Sequence, residues 1–159
     1  MAHESPALDL YDRRILSALQ DDGALTNQAL ADRVHLSASQ CSRRRQRLEA
    51  DGLIRGYRAD LDAARLGLTI TVYVNVMLNT HSPENAERFQ RLVARLPEVQ
   101  EAHALTGDMD YLLKIVVADL PALSELINGE LLPHQSVSTV KSSIVLSTLK
   151  ADHRLPIAE

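Results

Sequence analysis

Residues 26–52 read TNQALADRVHLSASQCSRRRQRLEADG, and two helix starts are written into them. Thr26 carries the hydroxyl of an N-cap, and Ala29, Leu30 and Val34 follow it as an apolar side. His35-Leu36 is a short connection, because Ser37 restarts the pattern. Ser37 and Gln40 have capping-box spacing, in which the hydroxyl accepts an early backbone N–H and the amide oxygen accepts the N–H of the cap. Gly52, free to adopt φ > 0, closes the far end. At about 100° per residue Cys41 and Leu48 share one face of this second helix, while Ser39, Arg43, Gln46 and Arg47 lie roughly opposite. Guanidinium forks suit phosphates and guanine edges, and hydroxyl and amide groups at a helix start reach base edges in the major groove. The pattern therefore predicts a DNA-reading helix-turn-helix with Ser37, Ser39, Gln40, Arg43, Arg44, Arg45 and Arg47 at the interface. The competing reading of the same residues is a solvated basic face on a three-helix core. Cys41 reads as a small core residue rather than a nucleophile, although the arginines beside it tend to lower a thiol pKa.

The charge distribution sharpens this. The chain has 159 residues and a formal net charge of −4, yet from Arg33 to Arg58 it carries seven arginines against Glu49 and Asp51, which is 7 − 2 = +5. A local basic patch on an acidic chain suits a protein that touches DNA through one element only. A single Cys excludes an internal disulfide framework, and MAHESPALDL lacks the basic start and apolar run of a secretory signal. No stretch approaches 18 uninterrupted apolar residues, so no membrane span is expected and the cytoplasm is the expected compartment.

Two domains are expected: residues 1–60 for DNA binding, 61–68 as linker, and 69–159 for ligand binding and oligomerisation. In the first, Asp9 and Asp12 cap and charge a helix with an apolar stripe of Leu8, Ile15, Leu16 and Leu19, ended by Asp21-Asp22-Gly23. After Gly52 the run Leu53-Ile54-Arg55-Gly56-Tyr57-Arg58 suggests a brief strand or extended segment. From residue 69 the period changes to two, with Ile70, Val72, Val74, Val76 and Leu78 on one face of a strand. Residues 84–96 place Ala86, Phe89, Leu92, Val93 and Leu96 on a helical face stopped by Pro97. Residues 99–106 and 111–118 read as strands joined by Gly107-Asp108-Met109-Asp110. Pro121 opens a helix through Leu123, Leu126 and Ile127, and residues 137–149 read as a last strand. The order β-α-β-β-α-β predicts an antiparallel four-stranded sheet covered by two helices on one face. The fold class is thus α+β, a winged-helix-like helix-turn-helix followed by a ferredoxin-like βαββαβ domain. The open face carries apolar residues such as Tyr73, so pairing with a second copy is expected to bury it.

This arrangement resembles the Lrp/AsnC family, the leucine-responsive or feast/famine transcriptional regulators, over nearly the whole chain. The marks are Leu10-Tyr11-Asp12-Arg13-Arg14-Ile15-Leu16, Leu30-Ala31 with Val34, and Ser37-x-Ser39-x-Cys41-x-x-Arg44-x-x-Arg47-Leu48-Glu49. Gly52-Leu53-Ile54-x-Gly56-Tyr57, the Thr-Gly-Asp-x-Asp-Tyr-Leu-Leu-Lys run at 106–114, and Arg154-Leu155-Pro156-Ile157 complete them. The resemblance implies a double-stranded DNA partner, a homodimer that assembles into tetramers or octamers, and a small effector, commonly an amino acid. It places the effector at the turn of Gly107, Asp108, Asp110 and Tyr111, near a contact between dimers. The chemistry is compatible, since turn N–H groups can hold a carboxylate and an aspartate an ammonium. Gly-Asp-x-Asp is equally an ordinary hairpin turn whose carboxylates bond their own backbone. Arg45 stands where the family usually has a small apolar residue, which leaves either a stem that packs with its head at a phosphate, or a rotated helix.

Two other functions are weighed. An architectural DNA-organising protein shares the fold. An enzyme on the ferredoxin-like domain is disfavoured, because the histidines at 3, 35, 81, 103, 134 and 153 form no H-x-x-x-H or H-x-x-E-H pair and no nucleophile elbow marks a serine. No catalytic residue, metal or cofactor beyond the effector is expected.

Overall fold

The computed structural model describes residues 7–157; His3 and the first part of the stretch read against a secretory start lie outside the described residues. The helices and strands run α1 (Leu10–Asp21), α2 (Asn27–Val34), α3 (Ala38–Ala50), β1 (Ile70–Leu78), α4 (Pro83–Arg95), β2 (Val99–Ala104), β3 (Tyr111–Val117), α5 (Leu120–Glu125) and β4 (Val137–Ile144). Two compact units result. One ends at Asp60 and takes in the tail from Lys150; the other spans Leu61–Leu149.

In the first unit the helix starts are fixed by side chains. Asp9 and Asp12 form a capping box on α1, Thr26 accepts the Ala29 N–H on α2, and Ser37 and Gln40 form a second capping box on α3. The core joins Ile15, Leu19, Leu25, Leu30, Val34, Cys41 and Leu48. Burial pushes the Cys41 thiol pKa up, and the opposing field of Arg44 is the smaller effect. His35 ends α2 in the left-handed conformation, φ 57° and ψ 47°, and its N–H bonds the Ala31 carbonyl.

Three stretches outside the helices and strands are tied down by hydrogen bonds. Of the two readings of the run 53–58, the brief strand is the one that does not form, because Leu53 and Ile54 both donate their N–H to the Leu48 carbonyl and Gly56 sits at φ 147°. Its backbone finishes α3 rather than pairing. Residues 61–68, expected as a linker, belong to the second unit and contain a closed turn: Leu66 N–H bonds Asp62 O, Leu68 N–H bonds Ala63 O, and Gly67 has φ 81°. The tail from 150 packs with the first unit: Gln20 accepts the Leu155 N–H, donates to the Leu155 carbonyl, and Arg154 meets Asp21 at 3.0 Å.

The second unit is one antiparallel sheet in the order β2-β3-β1-β4. The period-2 residues Val72, Val74, Val76 and Leu78 are buried with Leu113 and Ile115 under Phe89 and Leu92 of α4. The last strand stops at Ile144, short of 149, and one further bond, Val145 N–H to Thr71 O, continues the ladder. A π-helical segment, Leu126–Leu131, follows α5 directly. In an α-helix two residues five apart point roughly 140° from each other. The wider turn brings both Leu126 and Leu131 into the core, which explains the irregularity.

Candidate nucleic-acid interface and effector turn

α3 separates its polar residues into two sets. Ser39, Gln40, Arg43 and Gln46 are exposed, and Arg43 forms no ion pair among the described residues. Arg44 and Arg45 point the other way. The Arg44 guanidinium meets Asp9 at 2.7 Å and Asp12 at 2.8 Å. Arg45 donates to the Leu25 carbonyl at 3.0 Å and to the Tyr57 hydroxyl at 2.8 Å, and that hydroxyl in turn donates to Glu49 at 2.8 Å. The Arg45 guanidinium also lies 4.4 Å from the centre of the Tyr57 ring. The two alternatives at Arg45, a head at a phosphate or a rotated helix, thus give way to a third: its head is held within the unit by Leu25, Glu49 and Tyr57.

Asp12 is the hinge of this arrangement. Its side chain is 1% exposed, and besides Arg44 it accepts from Arg47 at 2.5 Å. Arg47 remains half exposed, so it bridges the inner and outer sets. Asp9 is held below the ordinary carboxylate range, first by the Asp12 backbone N–H and then by Arg44. The carboxylates of Asp9, Asp12 and Glu49 thus absorb three of the four arginines of α3, and the basic patch facing outward is smaller than the sequence count implies. Ser37 is chiefly a cap, bonded to Gln40 N–H and Ser39 Oγ. Gln40 accepts the Ser37 N–H through Oε1 at 3.0 Å, which leaves its Nε2 as the outward group, a donor only. Gln46 belongs with the exposed set by position, although amide chemistry alone does not single it out.

The hairpin turn at 107–111 divides similarly. Gly107 has φ 137°, and Leu105 N–H to Asp110 O at 2.8 Å closes the turn. Asp108 is exposed. Asp110 is not: one oxygen accepts the Leu78 N–H at 2.7 Å, the other lies 3.4 Å from His81, and its own N–H bonds Val76 O. Tyr111 packs at a tilt of 41° against Phe89 with ring centres 4.8 Å apart, on the covered face. Two of the four expected effector residues are therefore committed to holding the hairpin against β1 and α4. Replacing Gly107 by Val puts a β-branched side chain at a φ that L-residues rarely adopt, and a loss of about 1–3 kcal/mol is expected in urea unfolding followed by circular dichroism.

Among the described residues no group of three or more His, Cys, Asp or Glu could hold a metal, and no helix is long and apolar enough to cross a membrane.

Residues 8–55 match the family model of winged helix-turn-helix DNA-binding domains, and residues 71–155 match that of the Lrp/AsnC ligand binding domain. The chain is 40% identical over 150 residues to the leucine-responsive regulatory protein of Escherichia coli, covering 94% of this chain and 92% of that one. Among solved structures it is similar to a transcriptional regulator of Neisseria meningitidis in complex with L-Met, with a TM-score of 0.91, 38% identity, and coverage of 94% and 97%. An AsnC family transcriptional regulator from Agrobacterium tumefaciens gives a TM-score of 0.88 and 36% identity, again covering 94% and 97%.

Proposed function

Because the chain belongs to the Lrp/AsnC family of transcriptional regulators, we propose that it reads its operator with the outer face of α3 and answers to an amino acid bound at the hairpin turn of its ligand-binding unit. The observation that carries the first half is the division of α3. Ser39, Gln40, Arg43 and Gln46 are exposed, with Arg47 at the edge, while Asp12 and Tyr57 hold Arg44 and Arg45 inward as the scaffold that presents them. Arg43 holds a phosphate. Gln40, whose free Nε2 donates, reads acceptor atoms on base edges such as guanine O6 and N7 or thymine O4.

Gln40→Ala should shift sequence preference, with about 1–3 kcal/mol lost at particular base pairs. It also removes half of a capping box, so stability is measured beside affinity. A uniform loss over every operator variant would remove Gln40 from base reading.

A second copy completes the reading. The open sheet face presents Tyr73, and Leu146 and Leu149, beyond β4, are 96% and 97% exposed, a supply of apolar surface that a dimer would cover. Two α3 helices related by a two-fold axis read an imperfect palindrome with half-sites about 10 bp apart, or a multiple of that. Footprints with that period are expected; protection of one isolated half-site by a monomer would contradict it.

For the effector, Gly107 and Asp108 supply the exposed N–H groups and carboxylate, Asp110 and Tyr111 fix the turn, and a neighbouring dimer closes the site. The Neisseria relative in complex with L-Met makes L-Met and L-Leu the first amino acids to test. A ligand at about 100 times its Kd stabilises the native state by about 2.7 kcal/mol. That shift is expected for at least one amino acid in the wild type and not in Asp108→Ala. No shift with any amino acid, or an equal shift in both proteins, would move the effector away from this turn.

A further inference from the structure

The first unit holds an open cavity of about 700 Å³ between α1, the run after α3 and the tail, a volume within the range of small-molecule sites. Its apolar wall includes Leu16 and Leu19 of α1, Ile54, and Leu155 and Ile157 of the tail. The tail bounds this space without filling it. Gln20 and Asp21 hold it by polar bonds to the Leu155 backbone and to Arg154, while Leu155 remains 73% exposed. The tail is therefore fastened by hydrogen bonds and an ion pair, and its apolar side chains are left with a wall and no occupant.

The charges on the lining point to one kind of ligand. Arg55 and Arg58 line the cavity and form neither a hydrogen bond nor an ion pair among the described residues. His153 lines it as well, with Asp152 acting on it from outside the lining, and no Asp or Glu is among the lining residues. Of the other polar groups, Gln20 is spent on Leu155, and the Tyr57 hydroxyl on Arg45 and Glu49. The two arginines are the groups left for a ligand to satisfy.

We propose that this cavity binds an organic anion with an apolar body, a carboxylate on a medium-length hydrocarbon chain, at a site separate from α3 and from the hairpin turn. The chain lies against Leu16, Leu19, Ile54 and Leu155, and the carboxylate takes the guanidinium forks of Arg55 and Arg58. An amino acid fits this lining poorly, because its ammonium would leave water with no carboxylate to meet it. A bare phosphate would satisfy the arginines but leave the apolar wall uncovered. The site is thus independent of the amino-acid response, and its test is a binding measurement that involves neither operator nor amino acid.

The test uses the full chain and titrates butanoate, hexanoate and octanoate by calorimetry, with octylammonium as the probe of opposite charge. Thermal stability is followed on the same samples. The variants are Arg55→Gln/Arg58→Gln and Leu155→Ser; Arg33→Gln, an exposed arginine of the same unit outside the lining, controls for lost charge.

Affinity should rise about three- to fourfold for each methylene added from butanoate to octanoate. The double variant should lose at least tenfold in octanoate affinity, Leu155→Ser severalfold, and Arg33→Gln nothing. The proposal is overturned if octylammonium binds as tightly as octanoate, if affinity is indifferent to chain length, or if the double variant binds octanoate as the wild type does. It is overturned equally if Arg33→Gln loses as much as the double variant, or if octanoate at about 10 mM gives neither heat nor a raised melting temperature. Octanoate binding that strengthens as the protein is diluted to monomer would give the cavity to a segment of a second copy, and likewise overturns it.

Discussion

Asp12→Ala should destabilise the first unit by about 3 kcal/mol. The change removes half of the α1 capping box and the buried carboxylate on which Arg44 and Arg47 converge, and it leaves two guanidinium groups facing a cavity where an anion stood. Because both arginines retain some access to water, the cost falls at the lower end of that for breaking a buried pair. Urea unfolding followed by circular dichroism is expected to show an early transition for this unit, with the sheet unit melting near its wild-type midpoint. A single unchanged transition would mean that Asp12 is dispensable.

Acid should act in the same direction. The folded-state pKa of Asp9 is depressed, so its contribution is fully present above about pH 4 and is lost as the pH falls through the folded value.

The second large effect is expected at the hairpin. Asp110→Ala leaves the Leu78 N–H without its carboxylate partner and frees the turn from β1, at a cost of about 2–3 kcal/mol. Asp108→Ala removes an exposed carboxylate that forms no hydrogen bond or ion pair among the described residues, and stability within about 0.5 kcal/mol of wild type is expected. The pair separates two roles in one turn. Both variants should lose the amino-acid response, but only Asp110→Ala should also lower the melting temperature without ligand. Since coupling between effector and operator is reciprocal, operator DNA should change amino-acid affinity in the wild type by the factor that the amino acid changes operator affinity, and by nothing in Asp108→Ala. A melting temperature equally lowered in both variants would contradict this assignment.

Local rules carried much of this structure into the sequence. Thr26, Ser37 with Gln40, and Asp9 with Asp12 cap the helices where their spacing places them, and the alternation from Ile70 to Leu78 is the buried face of β1. What escaped was pairing between distant residues. Arg44 and Arg45 suit DNA by residue type, yet on the helical wheel they lie about 60° and 40° from Cys41, flanking the packing face. Angular position would have drawn them inward; only the fold supplies the partners, Asp12 from α1 and Tyr57 from beyond α3. Asp110 is a similar case, since its spacing suits an open turn and the carboxylate is taken by β1, 32 residues earlier. The run 53–58 has strand-like residues, but its first two amides are spent on the Leu48 carbonyl. The π-helical turn after α5 has no signature of its own in residues 126–131; it follows from two leucines five apart that share one core.

The division of α3 into a reading face and a scaffold face is the claim on which the rest depends, and comparing Arg43→Ala with Arg44→Ala tests it most directly. Operator affinity is titrated over a range of salt concentrations, and stability is measured on the same preparations. Arg43→Ala should bind all sequences more weakly, reduce the salt slope by about one, and leave stability unchanged. Arg44→Ala should lose stability, while the folded protein binds within a few-fold of wild type and keeps the wild-type salt slope. The reverse pattern, a lowered slope in Arg44→Ala with full stability and an unchanged slope in Arg43→Ala, would contradict the account.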